Sequence, residues 1–185
     1  MLNTELLFPC AYELGEPPEL PGSGTYDLPV HYFPAPSPRS ERDGFWVRVS
    51  PNSGEEWIGV FAEGYGNAGV SKILSTPDPK HVCVISRGGA YIVNALSPTE
   101  WESLPFLPIT YACSIQELGF LLFGTFWALI AWNDDGVLWQ SRLAVDGLTV
   151  TSVGPDRIEG YGYDPAQGAN DHFLIDSRTG VVLRS

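Results

Sequence analysis

Carboxylate pairs are the residues whose type and spacing point most directly to catalysis. Glu55-Glu56 and Asp134-Asp135 are adjacent in the chain, and Glu63 and Glu159 begin two copies of the tetrapeptide EGYG. Glycoside hydrolysis needs two carboxyl groups at a set separation across a groove, one with a pKa raised by burial. Asp134-Asp135 lies in the sequence NDDG, which predicts an exposed turn and a structural role for both residues.

Aromatic residues near these acids indicate a binding surface. Trp46 lies on the same strand face as Arg48, and Trp57 follows two glutamates, so both tryptophans are candidates for exposed side chains. Exposed Trp and Tyr beside acids suit a protein interface or stacking on sugar rings. The candidate binding residues are Trp46, Trp57, Glu63, Tyr65, Asp134, Asp135, Glu159, Tyr161, Tyr163 and Asp164.

The two EGYG copies, at 63–66 and 159–162, have a structural and a functional interpretation. We favour matching strand ends, where glycine lets the chain turn sharply. The alternative is a small polar and aromatic patch formed by Tyr and Glu at two rims.

The common catalytic and cofactor motifs are not matched. His31, His81 and His172 are not accompanied by a G-x-S-x-G elbow, so no nucleophilic triad is predicted. The segment 64–69 fits G-x-G-x-x-G but lacks the following helix and ribose-binding acid of a dinucleotide site. The acids and amides of 163–172 lack the spacing of a calcium loop. We therefore predict no catalytic residue, metal or cofactor.

The charge restricts the partners. Twenty-two acids against 10 Lys and Arg give a net charge of −12, which repels nucleic acid and anionic membranes. A basic protein partner is the better expectation. The alternative is that excess acid only keeps an aromatic-rich protein in solution.

The chain is expected in the cytoplasm. Cys10, Cys83 and Cys113 are an odd number without metal-ligand spacing, which favours a reducing compartment. The N-terminal sequence lacks the basic and apolar regions of a signal peptide. The apolar stretch 118–132 is shorter than the roughly 20 residues of a spanning helix.

Proline divides the chain into an arm and a core. Eight of the 16 prolines precede position 40, and proline is excluded from central strands. We predict a Pro-rich N-terminal arm over 1–44, partly packed and with short edge strands, and an antiparallel β core domain over 45–185.

Within the core, alternation and turns predict an all-β fold. FWVRV (45–49) places Val47 and Val49 on one face, and PNSG turns the chain into WIGVF. In FWALIAW (126–132) the residues on both faces of the strand are apolar, as expected of a strand covered on both faces. Turns at Asp135-Gly136 and Asp146-Gly147 predict a three-stranded meander over about 126–153. In it, Trp132 faces Trp139, Val145 faces Leu148 and Leu143 faces Val150.

Two short helices and an internal repeat complete the prediction. SPTEWESL (97–104) has the pattern of a capping box, and SIQELG (114–119) has a shorter one ended by glycine. Sliding the chain so that Val82 meets Phe120 aligns two apolar hairpins, and periods of about 40 residues are typical of propeller blades. We predict a mainly antiparallel, two-sheet, sandwich-like assembly of hairpin pseudo-repeats, with a small or partial β-propeller as the alternative.

The functional expectation is a non-enzymatic acidic protein that binds a basic partner, in the manner of an inhibitor or immunity protein. Two alternatives stay open. The first is a carbohydrate-binding module or minor glycoside hydrolase, and the second is a structural subunit of a homo-oligomer.

Overall fold

The computed structural model describes residues 3–19, 26–35, 44–64 and 67–183, and strands dominate these segments. The prediction of an all-β, mainly antiparallel fold is confirmed. The strands form four small sheets, which we number I to IV in chain order.

The first half of the described chain forms sheets I and II. Sheet I has the order β2-β4-β5-β3, and sheet II has the order β1-β6-β7-β8-β9. The strands are β1 (Thr4–Glu5), β2 (Tyr12–Gly15), β3 (Val30–Phe33), β4 (Gly44–Pro51), β5 (Trp57–Ala62), β6 (Lys72–Ser75), β7 (His81–Ser86), β8 (Gly89–Asn94) and β9 (Trp101–Ser103). Two edge pairs, β1 with β6 and β3 with β5, are parallel, and the other pairs are antiparallel.

The second half forms two antiparallel sheets. Sheet III has the order β10-β11-β12-β13, and sheet IV has the order β14-β15-β16. The strands are β10 (Tyr111–Ile115), β11 (Phe120–Gly124), β12 (Ala128–Asn133), β13 (Gly136–Arg142), β14 (Leu148–Val153), β15 (Arg157–Asp164) and β16 (Ala169–Asp176). A 3₁₀ turn at Gln116–Leu118 ends at Gly119, whose φ of 70° is the left-handed conformation that glycine adopts freely.

Three hydrophobic clusters lie between successive sheets. Cluster 1 joins sheets I and II through side chains such as Phe61 and Val84. Cluster 2 joins sheets II and III through Ile85 and Phe123, and cluster 3 joins sheets III and IV through Leu122 and Ile158. Sheets II and III are therefore covered on both faces, which explains why successive residues of their strands are apolar whichever face they point to.

Two strands whose buried faces were predicted from the sequence contact the expected clusters. In β4, Val47 and Val49 are buried in cluster 1. In β12, Ile130 and Trp132 enter cluster 2, while the alternate residues Leu129 and Ala131 enter cluster 3. Both predictions of strand and facing are confirmed.

The predicted hairpin at Asp146-Gly147 is wrong. The amides of Val145 and Asp146 donate to the carbonyl of Tyr163, and the Tyr163 N–H donates to the carbonyl of Gly147. The chain therefore passes here from sheet III to sheet IV, and β14 pairs with β15 instead of β13. Hydrophobicity alone does not distinguish these arrangements, because Leu143, Leu148 and Val150 can pack against cluster 3, half-buried, in either one.

The preceding hairpin forms with a different register. The turn residues are Asp134 and Asp135, so Asn133 pairs with Gly136 and Trp132 with Val137. A register shift between Ala131 and Trp132, of the β-bulge type, then pairs Trp139 with Ala131. The predicted pairing of Trp132 with Trp139 is wrong. The bulge lets Trp132 enter cluster 2 while Trp139 enters cluster 3 on the other face.

The predicted helix over 97–104 is also wrong. Ser97 and Glu100 close a turn, in which the Glu100 N–H donates to the Ser97 carbonyl, and the chain then extends as β9. Pairing of β9 with β8 supplies the backbone hydrogen bonds that a short helix would have supplied.

The aligned hairpins around Val82 and Phe120 face each other. Ile92 and its aligned residue Ile130 both enter cluster 2, whereas Val82 enters cluster 1 and Phe120 enters cluster 3. In a propeller, equivalent residues of successive blades point in the same direction around the central axis, so they do not face each other. The described sheets form a sandwich-like stack, and no closed barrel or propeller is found among them.

The proline-rich segment contributes β1, β2 and β3, each at the edge of a sheet, as the proline content predicts. The proposed boundary between an arm and a core at residue 44 stays a prediction. No helix in the described part of the chain is both long and apolar enough to cross a membrane.

Candidate functional site

The edge strand β9 separates two concave surfaces of different chemistry. Glu100 lies in the turn before β9 and Glu102 lies in the strand, and both line one surface, while the Trp101 ring packs against Phe33 on the other. Glu102 pairs with Ile92, whose side chain belongs to cluster 2, so the two glutamates face sheet III. Trp101 pairs with Val93 of cluster 1 and faces sheet I.

On the side of sheet III lies a cleft of about 240 Å³, which we call the acidic cleft. It is lined by His81, Ile92, Glu100, Trp101, Glu102, Trp132 and Asp134. Ile92 and Trp132 are buried and give the cleft an apolar floor. Three carboxylates line it, and neither lysine nor arginine is among its described lining residues. The cleft therefore suits a cation that carries an apolar stem.

Asp134 is positioned by sheet II as well as by its own turn. Its Oδ1 lies 3.0 Å from Nδ1 of His81, and its Oδ2 accepts the Asp78 N–H at 2.8 Å. Asp134 lies in the exposed NDDG turn as predicted, and its side chain, which is 22% exposed, also contacts sheet II. His81 and the Asp78 N–H thus hold the Asp134 carboxylate at the edge of the cleft.

Glu100 is held in place, while Glu102 projects from the middle of β9. Asn94 Nδ2 donates to Glu100 at 2.9 Å, and the Asn94 backbone N–H donates to the Glu100 carbonyl at 2.9 Å. The fixed carboxylate of Glu100 and the exposed carboxylate of Glu102 thus stand on the same side of one strand.

On the side of sheet I, a groove of about 310 Å³ separates β9 from β3, and we call it the aromatic groove. It is lined by Val30, His31, Tyr32, Phe33, Ala35, Pro98, Thr99 and Trp101. The Trp101 ring meets Phe33 edge-on at 5.6 Å between ring centroids and is 36% exposed. Burial lowers the pKa of His31, which favours the neutral imidazole in the groove.

Acids also flank the far end of the aromatic groove. A cavity of about 370 Å³ shares His31, Pro98 and Thr99 with it and adds Glu55 and Glu56 to the lining. Both sides of β9 are thus bordered by negative charge, while the aromatic groove itself is apolar.

The chemistry of the acidic cleft suits binding better than covalent catalysis. A His–Asp pair is present, but none of the described lining residues is Ser, Thr or Cys, so the pair has no nucleophile to activate there. Among the described residues, no group of three or more His, Cys, Asp and Glu side chains is placed to hold a metal ion.

Of the ten predicted binding residues, Asp134 lines the acidic cleft, and Asp135 lies beside it at the exposed tip of the turn. Trp46 is half-buried beside Tyr26, at 5.9 Å between ring centroids. Trp57 is buried and donates its indole N–H to the Ala95 carbonyl at 2.9 Å, so the expectation that it is exposed is wrong. Tyr65 lies outside the described residues.

The remaining predicted residues lie elsewhere. Glu63 accepts a hydrogen bond from Arg87 at 2.7 Å, at the far end of sheet II from the acidic cleft. Glu159, Tyr161, Tyr163 and Asp164 belong to β15 in sheet IV. Glu63 and Glu159 therefore lie in different parts of the stack and do not form the facing pair that a glycosidase groove would need.

The second EGYG copy is not a strand end. Gly160 and Gly162 lie inside β15, where an added Cβ at Gly160 would overlap the Thr149 carbonyl and the Phe173 ring. The interpretation of both copies as strand ends is therefore wrong for this one. Close packing of β15 requires its glycines.

The residues that sequence reasoning missed are Glu100 and Glu102. The predicted helix over 97–104 would have turned them about 200° apart, whereas a strand brings them to the same side. The alternation of Glu-Trp-Glu was the available indication of a strand with two unlike faces.

No match to a protein-family model, to a curated protein or to a solved structure was found.

Proposed function

We propose that this protein binds a basic protein partner and that the acidic cleft is the contact site. The observation that carries the proposal is the cleft itself, where three carboxylates surround an apolar floor without a lining Lys or Arg. Glu102 is exposed, while Glu100 and Asp134 are held at the cleft by Asn94, His81 and the Asp78 N–H.

An arginine side chain fits this chemistry. Its guanidinium group forms forked, charge-assisted hydrogen bonds with carboxylates, and its methylene stem packs on apolar surface. In the acidic cleft, Glu100 and Glu102 offer carboxylates on one side, and Ile92 and Trp132 offer the floor. His81 adds a further polar side chain to the lining.

The net charge of the whole chain supports the same partner. A charge of −12 attracts a basic protein over several ångströms and accelerates its association, while salt weakens that attraction. Binding and masking a basic protein, in the manner of an acidic inhibitor, needs no catalytic group. A cytoplasmic location belongs to this proposal, because Cys10, Cys83 and Cys113 are free thiols of the kind that a reducing compartment maintains.

The test compares two double variants of equal charge. Glu100→Gln with Glu102→Gln removes two acids from the acidic cleft, and Glu13→Gln with Glu117→Gln removes two exposed acids on other strands and turns. The probe is a capped oligoarginine peptide, titrated calorimetrically at low and high salt. We expect the cleft variant to lose at least about tenfold in affinity and the control variant less than about threefold.

Two results would contradict the proposal. Equal losses in the two variants would show that only the total charge matters. Failure of the unaltered protein to bind the peptide at low salt would remove the acidic cleft as a cation site.

A further inference from the structure

Strand β9 has an exposed outer edge. It is the last strand of sheet II, and all three of its residues are exposed. On its inner side, the Asn94 N–H donates to the Glu100 carbonyl and the Leu104 N–H donates to the Ala90 carbonyl. In an antiparallel pair, hydrogen-bonding direction alternates along the strand. The N–H and C=O groups of Trp101 and Ser103 therefore point outward.

These outward groups are available for pairing. In the described part of the chain, no hydrogen bond reaches the backbone N–H or C=O of Trp101 or Ser103 from the outer side. Natural proteins usually cover or shorten such edges, because an open edge is a template for another strand. Pro98 and Pro105 restrict this one to a short segment.

The two concave surfaces meet at this edge. A strand added beside β9 would place alternate side chains on the two faces of sheet II. A residue opposite Glu102 would face the acidic cleft, and a residue opposite Trp101 would face the aromatic groove. One face therefore favours a cation, and the other favours an apolar side chain.

From the open edge and these two surfaces, we propose that the basic partner binds by adding an extended segment to β9, with basic and apolar residues alternating along that segment. Backbone hydrogen bonds to Trp101 and Ser103 hold the segment, and the two surfaces select its side chains. Charge complementarity identifies the occupant, because the carboxylates of Glu100, Glu102 and Asp134 line the acidic cleft, whereas no carboxylate is among the described lining residues of the aromatic groove. This inference rests on the proposed function and specifies how that function is carried out.

Peptide order tests the proposal separately from peptide charge. The probes are a short capped peptide in which arginine and valine alternate, a peptide of identical composition with its arginines grouped at one end, and two N-methylated forms of the alternating peptide, one for each of its edges. Only one edge of an added strand can pair with β9. We expect the grouped peptide and one of the two methylated forms to bind the full chain at least about tenfold more weakly than the alternating peptide.

A substitution in the protein tests the same edge. Ser103→Pro removes the outward N–H and keeps both glutamates and Trp101, and proline is tolerated where an edge N–H faces solvent. Ser103→Ala keeps the N–H and is the matched control. We expect at least about a tenfold loss for Ser103→Pro and little change for Ser103→Ala. Circular dichroism and a thermal melt of each variant establish that the fold is retained, and the methylated peptides give the answer without any change to the protein.

The outcomes separate the two proposals. If all four peptides bind equally and Glu100→Gln with Glu102→Gln weakens them all, the acidic cleft binds cations but strand addition is wrong. If no peptide binds, the proposed function itself is wrong. If the protein dimerises and Ser103→Pro abolishes the dimer, the edge is occupied by a second copy of the chain, which overturns the basic segment as its occupant.

Discussion

Replacing Glu5 and Lys72 tests how strongly strand β1 is fixed to the sheets. The Glu5 carboxylate lies 2.6 Å from Lys72 Nζ and accepts the Ser114 N–H at 2.6 Å. Lys72 Nζ also donates to the Ala112 carbonyl at 3.0 Å. These bonds join β1 and β6 of sheet II to β10 of sheet III, so the pair connects two sheets.

The expected magnitude follows from the partial burial of the pair. The side chains of Lys72 and Glu5 are 18% and 24% exposed. Removing one partner of a fully buried pair costs about 3–5 kcal/mol, whereas an exposed pair contributes at most about 1 kcal/mol. We expect Lys72→Gln or Glu5→Gln to lower the free energy of unfolding by about 2 kcal/mol at neutral pH, between those limits.

The effect depends on pH in a defined direction. Burial disfavours the charged form of Glu5, but the hydrogen bonds from Lys72 and Ser114 outweigh it and lower the carboxyl pKa below its ordinary value of 4.5. The unfolded chain binds the proton more readily. The contribution is therefore complete above pH 4.5 and is lost as the pH falls through the lowered pKa. The difference between the unaltered protein and Glu5→Gln should shrink in that acid range.

Urea unfolding of both single variants and the double variant, from neutral to acid pH, measures the coupling. The matched control is the cycle for Arg178 and Asp156, which are 59% and 83% exposed and should show little coupling. A Glu5–Lys72 coupling no larger than that control, or one that is unchanged in acid, would refute the account of β1 as fixed by this pair.

Two further substitutions and one chemical modification extend the tests. Gly160→Ala should lower the free energy of unfolding by more than about 1 kcal/mol, because the new methyl would overlap the Thr149 carbonyl. Gly154→Ala should be tolerated, because its methyl would lie 3.7 Å from the nearest heavy atom. Urea unfolding of both variants measures the difference. Phe123→Ala in cluster 2 should cost about 3–5 kcal/mol, and Trp127→Ala at an exposed position should cost far less, as unfolding curves would show. Alkylation of the native protein with iodoacetamide, followed by mass spectrometry, should modify Cys10 first. Burial raises the pKa of the Cys113 thiol to about 11 and also raises that of Cys83, so both should react slowly at neutral pH.

Local pattern was sufficient to predict much of the fold. The alternation of Val47 and Val49 and the double-sided apolarity of 126–132 follow from the period of a strand, so both could be found without coordinates. The Asp146-Gly147 turn could not be assigned in the same way. A glycine at a turn permits a hairpin or a crossing between sheets, and the choice depends on the pairing of β14 with β15, a strand that follows it in the sequence.

The candidate site was harder to predict for the same reason. Ser97, Pro98 and Glu100 have the residue types of a helix start, and only pairing with β8 makes 101–103 a strand. Asp134 could be placed in a turn, but its contact with His81 depends on the packing of sheet II against sheet III. Tertiary contacts therefore decide which acids share a surface.

The most direct test of the account is a map of backbone amide shifts during titration with the alternating arginine–valine peptide. We expect the largest changes at 78–81, 91–94, 100–104 and 132–134, the segments that form the acidic cleft and the edge of β9. Changes centred on sheet IV, or spread evenly over all exposed acids, would contradict it.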